Sequence, residues 1–233
     1  SLLLALASGI APADAGAALR VVATTSEYAA LATAVGGDRV EVTTIAKPTE
    51  DPHFVDARPS QIVAMNRADV LIEGGAELEV GWLPPLLDGA RNARILPGAP
   101  GHVVASEGIQ LVDIPATADR SQGDTHIAGN PHFMLDPENA RIVAAHLARV
   151  FTALDAAGKA TFEANLASFD GALTAKMQEW TAALAPFPGP MPWGRWVDVK
   201  INAPEGLRRE LVVNAPGTVR MSPAVTDPYQ PVE

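Results

Sequence analysis

The sequence carries five histidines and no cysteine, so any transition-metal site must be built from imidazole and carboxylate. Two histidines stand in matching contexts, Asp51-Pro52-His53-Phe54 and Asn130-Pro131-His132-Phe133. In each, proline restricts the backbone ahead of the histidine, and the phenylalanine behind it is placed to pack beneath the ring. Two imidazoles held in this way suit a first-row divalent cation, because neutral imidazole nitrogen binds zinc and its neighbours well. The same spacing also fits two unrelated loop histidines, since a zinc site takes three or four ligands.

His126 lies close before His132, at the end of a Gly- and Asp-containing stretch. It reads either as a third imidazole for the same ion or as a solvated loop residue. Glu27 and Tyr28 follow the first strand; they read as helix-start packing, with a supporting contact to the imidazoles as the alternative. His102 reads as a surface residue and His146 as a packed helix residue. No H-E-x-x-H helix is present, and Glu50 and Asp51 are the local carboxylates that could serve a metal-bound water as general base.

The formal net charge is −10, and the 17 Lys and Arg residues are scattered, which argues against a nucleic-acid partner. Without cysteine there is no disulfide framework. Residues 1–15 open with the apolar run SLLLALASGI and continue as APADA, the pattern of a secretory signal peptide remnant. The run is too short to span a bilayer, so the expectation is an exported, soluble, periplasmic protein.

The elements that must position these residues alternate between strand and helix. Leu19–Thr25, Val40–Ala46, Asp69–Glu73 and Ala93–Leu96 read as strands. Helices are expected from Glu27 to Val35, from Pro59 to Ala68 and from Trp82 to Leu87. The order predicts an α/β fold, a parallel-sheet lobe with flanking helices, in which ligands bind beyond the carboxyl ends of the strands. Residues 97–129 read as an irregular crossing with one weak strand at Ile109–Ile114. Asp136-Pro137-Glu138 opens a helix, and Lys159 to Ala185 is a long helical pattern about 40 Å in length. Four prolines alternate from Pro186 to Pro192 and end it. Two weak strands, Trp196–Ile201 and Glu210–Asn214, suggest a hairpin in the remaining tail.

Three stretches together resemble the metal-specific periplasmic solute-binding proteins of ABC importers, the zinc-receptor-like cluster A-I. They are VVATTSEYAALATAVGGDRVEVTTI, PTEDPHFVDARPSQIVAMNRADVLIEGGAELEVGWLPPLL and GNPHFMLDPENARIVAAHLARVF. The resemblance runs from Leu19 to about Leu184 and implies two α/β lobes joined by a long helix, with metal in the cleft between them. It implies His53 and His132 as ligands from the first lobe, with a third histidine and an acid from a second lobe. No histidine follows His146, so His126 is the local substitute, and the tail reads as a substituted or frame-shifted ending.

The domain expectation is therefore a signal remnant at 1–15, a metal-binding lobe at 16–157, a connecting helix at 158–185 and an atypical, partly disordered tail at 186–233, the second lobe absent or rudimentary. The functional expectation is a monomeric, non-enzymatic receptor. It binds Zn2+, with Mn2+ or Fe2+ as alternatives, as transported ligand and delivers it to a permease in the cytoplasmic membrane. A zinc-dependent hydrolase and a non-functional truncated receptor are the competing readings.

Overall fold

The computed structural model describes residues 17–115, 126–185, 198–200, 209–214 and 218–223. The expected signal remnant at residues 1–15 and the alternating prolines from Pro186 to Pro192 lie outside the described residues. Two compact units are distinguished, 1–177 and 178–233.

The first unit is built on four parallel strands: β1 (Leu19–Ala23), β2 (Val40–Thr44), β3 (Val70–Glu73) and β4 (His102–Val104). Their spatial order is β2-β1-β3-β4, with Val22 opposite both Thr43 and Leu71, and Ile72 opposite Val103. Because neighbouring side chains on a strand face opposite ways, the apolar runs of β1 and β3 feed two cores. Val21, Ala23, Val70, Ile72 and Val103 pack with buried residues of α1 (Ser26–Gly36), α4 (Pro137–Leu154) and α5 (Lys159–Leu184), among them Val35, Leu147, Phe151 and Phe162. Val22 and Leu71 pack on the other face with Met65 of α2 (Pro59–Arg67) and Leu83 and Leu86 of α3 (Leu83–Ala90). Each fully buried Leu or Phe here contributes about 1.5–3 kcal/mol of transfer free energy.

Local chemistry explains the helix limits. The Asp136 carboxylate accepts the Glu138 N–H at 2.9 Å, and Pro137 supplies the first-turn geometry of α4. α1 runs into Gly37, whose φ of 57° is the left-handed backbone that favours glycine. The start of α5 is tied to the sheet's flank by Asn165 Nδ2 donating to the Val35 carbonyl at 3.0 Å, and Arg39 Nε meets Asp155 Oδ2 at 2.6 Å.

Three expectations are corrected. Ala93–Leu96 is not a strand: Ala93–Ile95 forms a 3-10 turn, because Asn92 caps it, accepting from Arg94 N at 3.1 Å while donating to the Met65 and Ala68 carbonyls. The fourth strand is His102–Val104, and Ile109–Ile114 forms none. His102 is accordingly not a surface residue; its side chain is 7% exposed and lies 3.1 Å from Glu73. The expected long helix is present as α5, which buries only Phe162 fully and leaves Trp180 and Leu184 exposed.

The second unit holds an antiparallel sheet of β5 (Asp198–Lys200), β6 (Arg209–Asn214) and β7 (Thr218–Pro223), ordered β5-β6-β7. The third of these strands was not anticipated beside the expected hairpin. Among the described residues no helix is long and apolar enough to cross a membrane.

Candidate metal centre

The parallel sheet sends its loops out together beyond the carboxyl ends of the strands. The loop after β2 carries His53, and several contacts stiffen it. Glu50 accepts from the Lys47 backbone at 2.9 Å and pairs with Lys47 Nζ and Arg58, each at 3.0 Å. Val55 is buried, and Trp82, from the loop after β3, donates its indole N–H to the Pro52 carbonyl at 2.8 Å. Asp51 then holds the imidazole itself. Its Oδ1 accepts from the His53 backbone N–H at 2.9 Å and from His53 Nδ1 at 2.8 Å. These hydrogen bonds, the backbone one foremost, hold the Asp51 carboxyl below its ordinary range. With Nδ1 carrying the proton, Nε2 presents its lone pair outward, the carboxylate–histidine arrangement that orients a metal ligand.

His132 is positioned from beneath. Asn130 Oδ1 accepts the His132 N–H at 2.9 Å, and Phe133 is buried with its ring stacked on Tyr28 at 6.5 Å. Asn139 on α4 donates to the Phe133 carbonyl at 2.8 Å. The packing expected of both phenylalanines holds only here, because Phe54 is 71% exposed. Trp82 does for the His53 loop what Phe133 does for the other.

The rings meet. His53 Nε2 and His126 Nε2 stand 3.2 Å apart, and the His53 ring centroid lies 5.2 Å from that of His126 and 5.2 Å from that of His132. Two nitrogens each about 2.05 Å from a tetrahedral zinc are roughly 3.3 Å apart, and their ring centroids roughly 5 Å. Both His53 pairs thus have the spacing of imidazoles sharing an ion. As the side chains stand, His53 and His126 interact directly, and no group of three His, Asp or Glu among the described residues forms a ready-made ion cage. A cation would replace the Nε2–Nε2 contact. A cavity of about 250 Å³ opens there, lined by the three imidazoles, Asp113 and the Gly129–Asn130–Pro131 turn.

Asp113 escaped the sequence reading because it sits inside an apolar run, Ile109–Ile114. Its one signal was being the lone acid there. Its backbone is left-handed at φ 56°, and Asn130 Nδ2 donates to its Oδ2 at 3.1 Å, so Asn130 links the carboxylate to His132. The other candidates lie elsewhere. His146 is on α4, 3.7 Å from Glu107, and burial pushes its pKa down. Tyr28 is a core residue whose phenol burial pushes upward, and its ring stacks on Phe133. Glu27 lies beside Ser26 on the exposed side of α1.

Residues 21–190 match the family model described as ZnuA, zinc-uptake complex component A, periplasmic. The chain belongs to the ZnuA family. Among curated relatives, this ZnuA-family chain is 28% identical over 170 residues to the manganese ABC transporter substrate-binding lipoprotein PsaA of Streptococcus anginosus, covering 72% of the chain and 52% of the relative. It is 28% identical over 154 residues to the iron ABC transporter substrate-binding lipoprotein MtsA of Streptococcus pyogenes serotype M1, covering 65% and 46%. The chain spans about half the length of the curated relatives it matches. A crystal structure of ZnuA superposes with a TM-score of 0.59 at 24% identity over 73% of this chain and 60% of that one. The Zn(II)-bound ZnuA-like domain of Streptococcus pneumoniae AdcA gives 0.54 at 21% identity, over 68% and 52%. These structures establish the fold, a ZnuA-type parallel sheet with flanking helices and a long helix.

Proposed function

We propose that this chain captures a divalent cation outside the cytoplasmic membrane, as the substrate-binding component of an ABC importer, and passes it to the permease. The observation that carries the reading is the meeting of His53 with both His126 and His132 at spacings that suit a shared ion. All-nitrogen donation favours Zn2+, and a carboxylate from Asp113 would open the site to Mn2+ or Fe2+. The names of the relatives support metal transport and span manganese, iron and zinc. The protein acts as a monomer, and the three imidazoles that meet here all come from the lobe built on the parallel sheet.

Zinc titration of the purified chain against a chromophoric chelator tests this. His53→Ala and His132→Ala should each weaken binding at least tenfold, and equal weak binding by all three proteins would end the proposal. Both bases named for the hydrolase reading are engaged, Glu50 with Lys47 and Arg58 and Asp51 with His53. Zinc-dependent ester hydrolysis abolished by Asp51→Asn would revive it.

A further inference from the structure

The loop between β3 and α3 has an unusual backbone. Gly75, Ala76 and Glu77 are left-handed in succession, with φ of 75°, 52° and 66°. Two of the three are L residues with side chains, for which this region is disfavoured. The conformation is held from one side by Glu79, 3% exposed, whose carboxylate accepts from Gly74 N at 2.7 Å, Gly75 N at 3.2 Å and the Thr24 hydroxyl at 2.7 Å. Burial, foremost, pushes the Glu79 carboxyl upward, and these donors oppose it. The outcome is that Glu77 is turned toward the segment carrying His126. Its Oε2 accepts the Ile127 N–H at 2.6 Å, across fifty positions of sequence. Two residues further along the same segment, Gly129 N donates to the His126 carbonyl at 3.2 Å, with Gly129 at φ 110°.

We propose that Glu77 is a positioning residue for the cation site, a latch that fixes the His126 segment over the cavity by gripping the backbone next to the histidine. The inference rests on the metal-binding reading, and within it explains how an imidazole from an irregular segment is brought to His53. A carboxylate bond to a main-chain N–H is charge-assisted and sets the peptide plane from which the His126 side chain departs. The latch acts through His126 and not on the ion. It needs an acceptor oxygen at that point, which glutamine supplies and alanine does not.

The test is a double-mutant cycle on zinc affinity of the full chain, read by chelator competition, with circular dichroism of each metal-free protein as the check on folding. Glu77→Ala should weaken zinc binding roughly tenfold, as loss of a supporting partner does. Glu77→Gln should recover most of that loss. In the His126→Ala background, Glu77→Ala should change affinity less than twofold, because no imidazole is left to position. Folded Glu77→Ala with wild-type affinity would overturn the latch, as would a tenfold loss that persists without His126. In either case, a continuing dependence on His53 and His132 would leave the metal reading intact. If zinc affinity ignores His53 and His132 as well, the parent reading falls with the inference.

Discussion

Asp51→Ala should loosen the metal site without unfolding the protein, and the size of the effect follows from two bonds. One carboxylate oxygen accepts both the main-chain N–H and the ring Nδ1–H of His53, at 2.9 and 2.8 Å. A hydrogen bond to a charged group is worth about 1.5–3 kcal/mol and a neutral one about 0.5–1.5. The Asp51 side chain is 59% exposed, which places both bonds at the low end of that scale. Releasing the ring then costs about 1.5 kcal/mol of metal binding, close to a tenfold rise in Kd, at the lower limit for partners that orient a ligand. Asp51→Asn keeps an acceptor and loses only the charge, so its rise should be roughly threefold. Chelator competition at neutral pH reads both, and thermal unfolding of the metal-free proteins should show little change. A metal affinity unchanged in Asp51→Ala, while His53→Ala abolishes binding, would refute the argument that the carboxylate orients the ring.

Three further outcomes are expected. Asp113→Ala should lower Mn2+ affinity more than Zn2+ affinity, because removing a carboxylate removes the harder donor; isothermal titration with each ion checks it, and equal losses would exclude Asp113 from the coordination sphere. Gly101→Ala should cost about 1–3 kcal/mol in urea unfolding, since its Cβ would fall inside 3.0 Å of the Asp69 and Arg94 carbonyl oxygens, both backbone. The Arg39–Asp155 pair gives a pH dependence. Arg39, chiefly through its hydrogen bond and then its charge, holds the Asp155 carboxyl below its ordinary value. That stabilisation is complete above about pH 4 and is lost as pH falls through the lowered value. The urea midpoint of Arg39→Met should therefore lie below wild type at pH 7, with the gap closing in acid.

Much of the first unit was legible because its central strands β1 and β3 are buried on both faces and its helices end at explicit stops. β1, β2 and β3 fall within the expected runs, Gly36-Gly37 closes α1, and Asp136-Pro137 opens α4. The failures share a cause, in that tertiary contacts replaced local pattern. Ala93–Leu96 has strand composition, yet Asn92 binds two carbonyls of the α2 end and turns the chain. β4 is only three residues long, too short for alternation to show, and it draws His102 inward against Glu73. At the site, the repeated Pro-His-Phe frames singled out His53 and His132 as candidates, and their ring centroids lie 5.2 Å apart. The two frames are not supported alike, because the Phe54 role passes to Trp82, which is remote in sequence. Asp113 and Glu77 could not be read in advance. Each owes its place to a left-handed backbone at a residue other than glycine, and composition carries no sign of that.

X-ray absorption at the zinc edge of the loaded chain tests the central claim most directly, because it reports the ligands themselves. A first shell of nitrogen and oxygen near 2.0–2.1 Å is expected, with the outer-shell scattering of two to three imidazoles. One imidazole's share should vanish in His53→Ala and again in His132→Ala. A shell without imidazole scattering, or one that neither substitution alters, would contradict a shared ion at these rings.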